Sequence, residues 1–251
     1  LFRFKKSSVK KSFVCQGRGM WAMEFFNNSV FFGVLLSLLA YGIGALLKQK
    51  FKLAIFNPLL IAVIIVIAVL AVSGIDYKVY NEGAKYISYL LTPATICLAI
   101  PLYEQFELLK SNWKAIAVGI FSGVLASLGS ILAMAVLFGF THQEYVSFLP
   151  KSITTAIGMD VSEELGGYVS ITVAIIVLTG VLGNMCAESL CKLFKIEEPI
   201  AKGIAIGTAS HAIGTSKAME LGDIEGAMSS LSIVVSGLIT VIGASIFAQF
   251  M

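Results

Sequence analysis

Two stretches of this 251-residue chain place lysine, histidine and hydroxyl side chains inside otherwise apolar sequence. Hydroxyl groups and free backbone N–H groups at the start of an interrupted helix form a positive pocket that suits a carboxylate. These residue types therefore predict an anion site, to which a lysine ammonium group attracts the ligand. The candidate binding residues are Lys151, Ser152, Thr154 and Thr155 in the first stretch, and Thr208, Ser210, His211, Thr215 and Lys217 in the second.

Each charged or titratable member of this set also has a structural interpretation. Lys151 and Lys217 fit interfacial lysines that extend toward lipid headgroups, and this interpretation is slightly favoured over substrate contact. His211 fits a proton relay, because imidazole titrates near neutral pH, and fits an interhelical hydrogen bond equally well. The carboxylates that follow the two stretches, such as Glu164 and Glu220, fit solvated loop charges better than ion coupling.

No group of residues in the sequence has the spacing of a catalytic site. There is no Ser-His-Asp arrangement, HExxH motif, paired carboxylates or phosphate-binding loop. We therefore predict that the chain is not an enzyme and binds neither a metal nor a cofactor. The net charge of +3 is too small to indicate a nucleic-acid partner, and positive charge has a simpler use in setting membrane topology.

The composition places these residues in a membrane protein. Hydrophobic residues make up 57% of the chain and charged residues 13%, whereas a soluble domain averages about 25% charged residues. A chain this apolar cannot cover itself with polar groups, so its surface must face lipid. We predict an all-α polytopic membrane protein with about six full transmembrane helices. The predicted spans are 29–47, 55–73, 87–103, 115–138, 169–189 and 230–250.

Two further segments, 148–167 and 203–223, are too rich in Gly, Ser, Thr and charge to face lipid as regular helices. Irregular backbone at membrane depth is tolerated only where protein buries it or where it lines a wet cavity. We therefore predict two broken or re-entrant segments. The residues expected to interrupt or bound helices are Asn57, Pro58, Pro93, Pro101, Pro150, Gly158 and Gly214.

The two broken segments form a candidate internal repeat. TTAIGMDVSEELGG at 154–167 aligns without gaps with SHAIGTSKAMELGD at 210–223, at an offset of 56 residues and with six identities. Shared membrane composition is the alternative explanation for this match. Because one full crossing separates the copies, a true repeat is inverted, and inverted repeats with interrupted helices indicate the binding site of a transporter.

The lysines predict the orientation of the chain in the membrane. Lys48, Lys110 and Lys192 follow the first, third and fifth spans, so those loops are expected to face the cytoplasm and the N-terminus to lie outside. The basic residues 1–22 would then lie on the wrong side. We therefore expect this N-terminal extension to be a gene-model artefact, outside a single integral membrane domain at 23–251.

The same stretches resemble the signature sequences of the LrgB/CidB family. The most specific are PKSITT at 150–155 and GTASHAIGT at 207–215, and NPLL at 57–60 precedes them in the expected order. The resemblance covers about residues 23–251. It implies a bacterial inner-membrane protein that works with a holin-like LrgA or CidA partner to modulate murein hydrolase activity, autolysis and programmed cell death.

The resemblance also implies transport, because plant plastid relatives resemble glycolate/glycerate translocators and bacterial pairs have been linked to pyruvate uptake. Two polar, interrupted segments favour this implication, since a passive lytic pore needs no anion site. We predict a transporter of small carboxylates of the pyruvate/glycolate class, embedded in the lipid bilayer, with a holin-like protein as partner and homo-oligomerisation left open. The alternative is an antiholin-like regulator that contacts its partner through the Gly/Ser face of 115–138, without transport.

Overall fold

The computed structural model describes residues 31–51 and 56–251. Within these ranges the chain forms α-helices and one 3-10 helix, and no strand is present. The prediction of an all-α protein is therefore confirmed. The expectation for the N-terminal extension at 1–22 falls on residues that lie outside the described part of the chain.

The described residues contain five stretches that are long and apolar enough to cross a membrane, together with one shorter apolar helix, Pro58–Ser73. These findings confirm a polytopic membrane protein and give five candidate membrane-spanning stretches in the described residues, where the sequence predicted about six. The five stretches are Phe32–Phe51, Tyr77–Glu104, Trp113–Phe138, Val169–Leu193 and Asp223–Phe250. In chain order the helices are α1 (Phe32–Phe51), α2 (Pro58–Ser73), α3 (Tyr77–Ser88), α4 (Leu91–Cys97), α5 (Ala99–Glu104), α6 (Phe106–Ser111), α7 (Trp113–Phe138), α8 (His142–Phe148), α9 (Thr155–Glu164), α10 (Val169–Leu193), α11 (Pro199–Leu221) and α12 (Asp223–Phe247), followed by the 3-10 helix Ala248–Phe250.

The chain divides into two compact units, of which the first ends at Pro93. In this unit Asn57 caps α2 by accepting a hydrogen bond from the backbone N–H of Leu59 at 2.9 Å, and Pro58 occupies the first helical turn. Proline is tolerated there because the backbone groups of the first turn have no intrahelical partner. The predicted helix boundary at Asn57 and Pro58 thus coincides with the start of α2.

The predicted third span is interrupted in the structure. Residues 87–103 include the end of α3, all of α4 and most of α5, with breaks near Tyr89 and at Leu98. Pro93 and Pro101 each lie in the first turn of a short helix, α4 and α5 respectively, where the missing N–H costs little. Both prolines therefore start short helices within the stretch Tyr77–Glu104.

In the second unit, Ala94–Met251, α7 contributes one side of the hydrophobic core. One face of α7 is buried against neighbouring helices, at residues spaced three or four apart as a helical face requires. The opposite face carries exposed apolar side chains, such as Val118 and Val136, which suit contact with lipid. The buried residues are Ile116, Ile120, Val124, Leu128, Ile131 and Ala135.

Candidate functional site

The first predicted re-entrant segment is a helical hairpin made of α8, the turn at 149–154 and α9. One residue of α10 bridges both of its arms. The Thr172 hydroxyl donates to the Ser147 carbonyl at the end of α8 (2.9 Å) and lies 2.7 Å from the Ser162 hydroxyl in α9. Since both arms contact the same point on α10, the chain turns back at 149–154. The hairpin starts earlier than the predicted 148, because α8 carries polar residues that look like a loop in the sequence.

The second predicted re-entrant segment is α11, which is also a hairpin. His211 has φ 42° and ψ −144°, so the helix is interrupted there and its two arms lie on either side of this residue. On the first arm, a Cβ built on Gly207 would lie 2.8 Å from Ser229 Cα of α12. On the second arm, the Thr215 hydroxyl lies 2.7 Å from the Ser229 hydroxyl. Both arms contact the same turn of α12, so the chain reverses direction at His211.

The two hairpins correspond at the same 56-residue offset as the sequence repeat. In each, the tip is followed by a helical arm and then by a long helix on which both arms pack. Close contacts correspond as well, because a Cβ built on Gly203 would lie 2.7 Å from Met228 Cβ. At this offset Thr155 corresponds to His211, Ser147 to Gly203 and Thr172 to Met228.

The long helix α10 separates the bases of the two hairpins. The arms of the first hairpin contact its first turns, and the second hairpin follows its last turn. Since α10 has 25 residues and is long and apolar enough to cross a membrane, the two hairpins start from opposite ends of a candidate membrane span. This arrangement agrees with the interpretation of the two segments as an inverted repeat.

A cavity of about 820 Å³ lies between α7, the first arm of the second hairpin and the tip of the first hairpin. It extends along α7 from Asn112 to Ser130, a distance of about 27 Å at 1.5 Å per helical residue. Its walls are mostly Ala, Gly and Ser residues, and their small size leaves the cavity wide. Lys151 and Ser152 line it from the first hairpin, and Thr208 lines it from the second.

Lys151 brings a positive charge into this cavity. Its ammonium group donates hydrogen bonds to the hydroxyls of Ser152 (3.0 Å) and Ser127 (3.2 Å), which lie 3.1 Å from each other. Among residues 31–51 and 56–251, no carboxylate forms an ion pair with this lysine. Hydroxyl groups solvate an ammonium group without neutralising it, so the cavity retains a net positive charge near the tip of the first hairpin.

Thr208 lines the same cavity and has a buried hydroxyl without a hydrogen-bond partner among the described residues. The residue as a whole is 5% exposed. Its methyl group lies close to Gly123 of α7, where a Cβ would be 2.8 Å from Thr208 Cγ2. A buried hydroxyl without a partner is costly, which indicates a place where a ligand or water completes the hydrogen bonding.

Three other predicted residues of the second stretch contact helices and do not line the cavity. The His211 ring lies 3.0 Å from the Ile176 carbonyl of α10. Ser210 lies beside Gly183 of α10, where a Cβ would be 2.6 Å from Ser210 Cβ. Thr215 donates its hydroxyl to the His211 carbonyl at 3.0 Å. These side chains hold the second hairpin against α10 and α12.

The remaining predicted residues do not line the cavity: Lys217 lies on the second arm of the second hairpin, and Thr154 and Thr155 lie at the tip of the first. Lys217 forms ion pairs with Glu188 (3.2 Å) and Glu220 (3.3 Å), so its charge is compensated by α10 and by its own helix. Thr154 precedes the first residue of α9, Thr155, and both are partly exposed. The structure thus brings together Lys151, Ser152 and Thr208 of the nine predicted residues in one cavity.

The cavity also contains polar residues that the sequence prediction did not assign to a site. Ser122, Ser127 and Ser130 of α7 line it, and Glu198 lines its other end. In the sequence these serines belong to a run of small residues, which is typical of close packing between transmembrane helices. Their shared position on the cavity side of α7 becomes visible only when the hairpin tips are placed beside that helix.

Comparison with known proteins identifies related sequences over most of the chain. The profile of the LrgB-like family matches residues 37–250. The antiholin-like protein LrgB of Bacillus mycoides (strain KBAB4) is 38% identical over 221 residues, which cover 88% of this chain and 96% of that protein. Proteins of the same name from Bacillus cereus (strain B4264) and Bacillus anthracis (strain CDC 684 / NRRL 3495) match equally well. No solved structure matches.

Proposed function

This chain belongs to the LrgB-like family, and we propose that it transports a small carboxylate through the cavity that contains Lys151. It is a multi-pass protein of the bacterial inner membrane, and the family is not a known enzyme family. One observation carries the proposal: a lysine at the tip of a re-entrant hairpin has two hydroxyl partners and, within the described residues, no carboxylate partner.

The charge of Lys151 is costly at membrane depth unless a partner or water stabilises it. On insertion scales, a lysine at the centre of a lipid-facing helix costs about 2.5–3.5 kcal/mol, so such residues usually have a partner or line a wet cavity. A carboxylate in the cavity supplies the missing negative charge and accepts a hydrogen bond from the Lys151 ammonium. The buried Thr208 hydroxyl donates a second hydrogen bond once its side chain turns toward the cavity. Hydrogen bonds between charged groups are roughly twice as strong as those between neutral groups.

The architecture supports transport over static binding. Two hairpins that start from opposite ends of a candidate membrane span and contribute to one cavity resemble the broken helices from which transporters build their substrate sites. Small movements of either hairpin relative to α7 would open the cavity toward one side of the membrane at a time. We propose pyruvate or glycolate as substrates, since each has one carboxylate for Lys151 and an oxygen that can pair with a nearby hydroxyl.

Membership of the LrgB-like family also supports a role in the regulation of murein hydrolase activity. We propose that this role follows from carboxylate or proton flux across the membrane, because such flux changes conditions in the compartment where murein hydrolases act. A small holin-like membrane protein of the LrgA or CidA type is the proposed partner, as the antiholin-like name of the relatives suggests.

Uptake of labelled pyruvate and glycolate into proteoliposomes tests this proposal, with and without an imposed pH gradient and a holin-like partner. We expect saturable uptake by the wild-type protein and a loss of about tenfold or more in Lys151→Met, because a charged hydrogen-bond donor to the substrate is removed. The control is Lys217→Met, which removes an ion-paired lysine outside the cavity. Equal uptake by Lys151→Met and the wild type would contradict the proposal.

A second candidate function is regulation by helix contact without transport. Ala201, Ala205 and Ala209 of α11 are exposed at four-residue spacing, and Ser122 and Ala126 of α7 are exposed opposite them. Small residues at this spacing permit close approach of another transmembrane helix. Under this alternative, bulky substitutions of the alanines abolish partner binding, whereas Lys151→Met leaves murein hydrolase regulation intact.

A further inference from the structure

His211 has a backbone conformation that is rare for a residue with a side chain. Its φ of 42° with ψ of −144° lies outside the regions that L-amino acids usually occupy. The residue is only 3% exposed, so the conformation is held inside the protein and is not a feature of a loose surface turn. A strained residue at a buried hairpin tip persists only when its surroundings hold it in place.

The imidazole ring supplies one of the contacts that hold this conformation. Its Nε2 lies 3.0 Å from the Ile176 carbonyl in the middle of α10. A carbonyl oxygen only accepts hydrogen bonds, so Nε2 carries a proton and donates it. Gly180, one turn further along α10, makes room for the ring, since a Cβ there would lie 2.7 Å from His211 Cε1.

The backbone of His211 is held from the other side by α12. The Thr215 hydroxyl donates to the His211 carbonyl at 3.0 Å, and the Ser229 hydroxyl lies 2.7 Å from the Thr215 hydroxyl. The tip of the second hairpin is thus fixed between two long helices by the ring on one side and by a pair of hydroxyls on the other.

Ile176 of α10, whose carbonyl binds the His211 ring, also contacts the first hairpin. The Ile176 side chain packs against Gly158 of α9, so Ile176 contacts His211 with its carbonyl and Gly158 with its side chain. Thr208 lies one helical turn before His211 and lines the cavity. One turn of helix therefore connects the anchored His211 ring to the cavity wall at Thr208.

We infer that His211 is a positioning residue, which anchors the tip of the second hairpin to α10 and thereby holds Thr208 against α7 at the cavity. This inference rests on the proposed function only in its statements about substrate. The anchoring role differs from proton relay in what it requires: anchoring needs an N–H donor at Nε2, whereas relay needs a group that titrates.

The glutamine side chain distinguishes these two roles. In His211→Gln the amide nitrogen takes a position close to that of Nε2 and still donates to the Ile176 carbonyl, but the side chain no longer titrates. His211→Ala loses both the donor and the ring. The matched control is His142→Ala, because His142 is the only other histidine in the sequence. It lies outside the second hairpin, and its Nδ1 is hydrogen-bonded to the Met251 backbone oxygen.

A disulfide cross-link reports the position of the hairpin without any transport assay. A Cβ built on Gly123 would lie 3.5 Å from Thr208 Cβ, which is within the range found in disulfides. In full-length protein with the native cysteines replaced by alanine, Gly123→Cys combined with Thr208→Cys should cross-link readily. We expect the rate of cross-linking to be unchanged by His142→Ala and His211→Gln, and to fall about fivefold or more with His211→Ala. Unchanged cross-linking in His211→Ala would overturn the inference.

Uptake by the single variants provides the second readout. Anchoring predicts that His211→Gln keeps the KM for the carboxylate and the pH profile of the wild type, whereas His211→Ala raises the KM. Loss of uptake or of its pH dependence in His211→Gln, with cross-linking unchanged, would overturn the inference in favour of proton relay. Absence of wild-type uptake would contradict the proposed function alone, because the cross-linking result tests the anchoring of His211 independently.

Discussion

At the scale of single residues, the proposed function depends on two residues that line one cavity and whose polar groups lack partners. Lys151 has a charge without a carboxylate partner in the described part of the chain, and Thr208 has a buried hydroxyl without a hydrogen-bond partner. Lys217 differs from Lys151 because two glutamates compensate it. A binding site is expected where the protein leaves such groups unsatisfied, because a ligand then repays the cost of desolvating them.

Replacement of Thr208 by valine should separate ligand binding from stability. We expect Thr208→Val to weaken carboxylate binding about three- to tenfold while leaving the melting temperature of the ligand-free protein unchanged or higher, because the lost hydroxyl has no protein partner. Thermal unfolding in detergent, with and without pyruvate, measures both quantities.

The control for this substitution is Thr215→Val in the same helix. The Thr215 hydroxyl has two partners, His211 and Ser229, so its removal should destabilise the protein by about 1–3 kcal/mol. A Thr208→Val protein that is destabilised as strongly as Thr215→Val would indicate that Thr208 serves packing and not ligand binding.

The sequence predicted part of the site at this scale. Lys151, Ser152 and Thr208 were predictable because charge and hydroxyls inside apolar sequence are costly unless they serve a site. The serines of α7 were not, because a small polar residue in a transmembrane helix fits helix packing as well as a cavity. The direction in which Ser127 points depends on the hairpin tip beside it, which is a tertiary contact.

At the scale of elements, two re-entrant hairpins shape the cavity, and glycines allow them to pack closely. Gly203 and Gly207 bring the backbone of the second hairpin against α12, where a Cβ on Gly203 would lie 2.5 Å from the Glu225 carbonyl oxygen. Gly158 of the first hairpin makes room for the Ile176 side chain of α10. Close backbone contact at Gly203 and Gly207 holds the second hairpin at a fixed depth beside α12.

An alanine at Gly207 should disturb this packing. We expect Gly207→Ala to lower the free energy of unfolding by about 1–3 kcal/mol, because the new methyl group meets the backbone of Ser229, which cannot move aside as a flexible side chain can. Unfolding in mixed micelles of increasing SDS content measures the change.

The matched control is Gly129→Ala in α7, where a Cβ would meet nothing within 4 Å. Alanine favours helix over glycine by about 1 kcal/mol, so this variant should be as stable as the wild type or more stable. If Gly207→Ala and Gly129→Ala have equal stability, the proposed close contact between the second hairpin and α12 is wrong.

The interruption of both segments was predictable, but its location in α11 was not. Crowding of Gly, Ser and charge at 203–223 indicated a broken helix, and the structure places the break at His211, three residues before the predicted Gly214. Gly214 instead packs against the first arm, where a Cβ would lie 2.5 Å from Ser210 Cβ. A positive φ at histidine has no sequence signal, because contacts with Ile176 and Thr215 impose it.

At the scale of the whole molecule, the arrangement of the second unit suits a transporter. The hairpins occupy corresponding positions at a fixed offset, and α10 lies between their bases. The six sequence identities between 154–167 and 210–223 predicted this symmetry, since the matched residues fall in the second arm of each hairpin. The orientation inferred from the lysines stays a prediction, which places the base of the first hairpin outside the cell.

The proposed function requires that a carboxylate occupies the cavity between α7, the first arm of the second hairpin and the tip of the first hairpin. The most direct measurement uses Ser122→Cys in protein without native cysteines, because Ser122 is exposed and lines this cavity. Labelling with a polar thiol reagent is followed in the presence and absence of pyruvate or glycolate. Glu164→Cys, exposed at the base of the first hairpin, is the control.

The account predicts that saturating carboxylate slows labelling at position 122 about fivefold or more and leaves position 164 unaffected, because a bound ligand covers only the cavity. Adding Lys151→Met should abolish the protection. If folded protein is labelled at position 122 at the same rate with and without either carboxylate, then no carboxylate binds in this cavity and the proposed function is wrong.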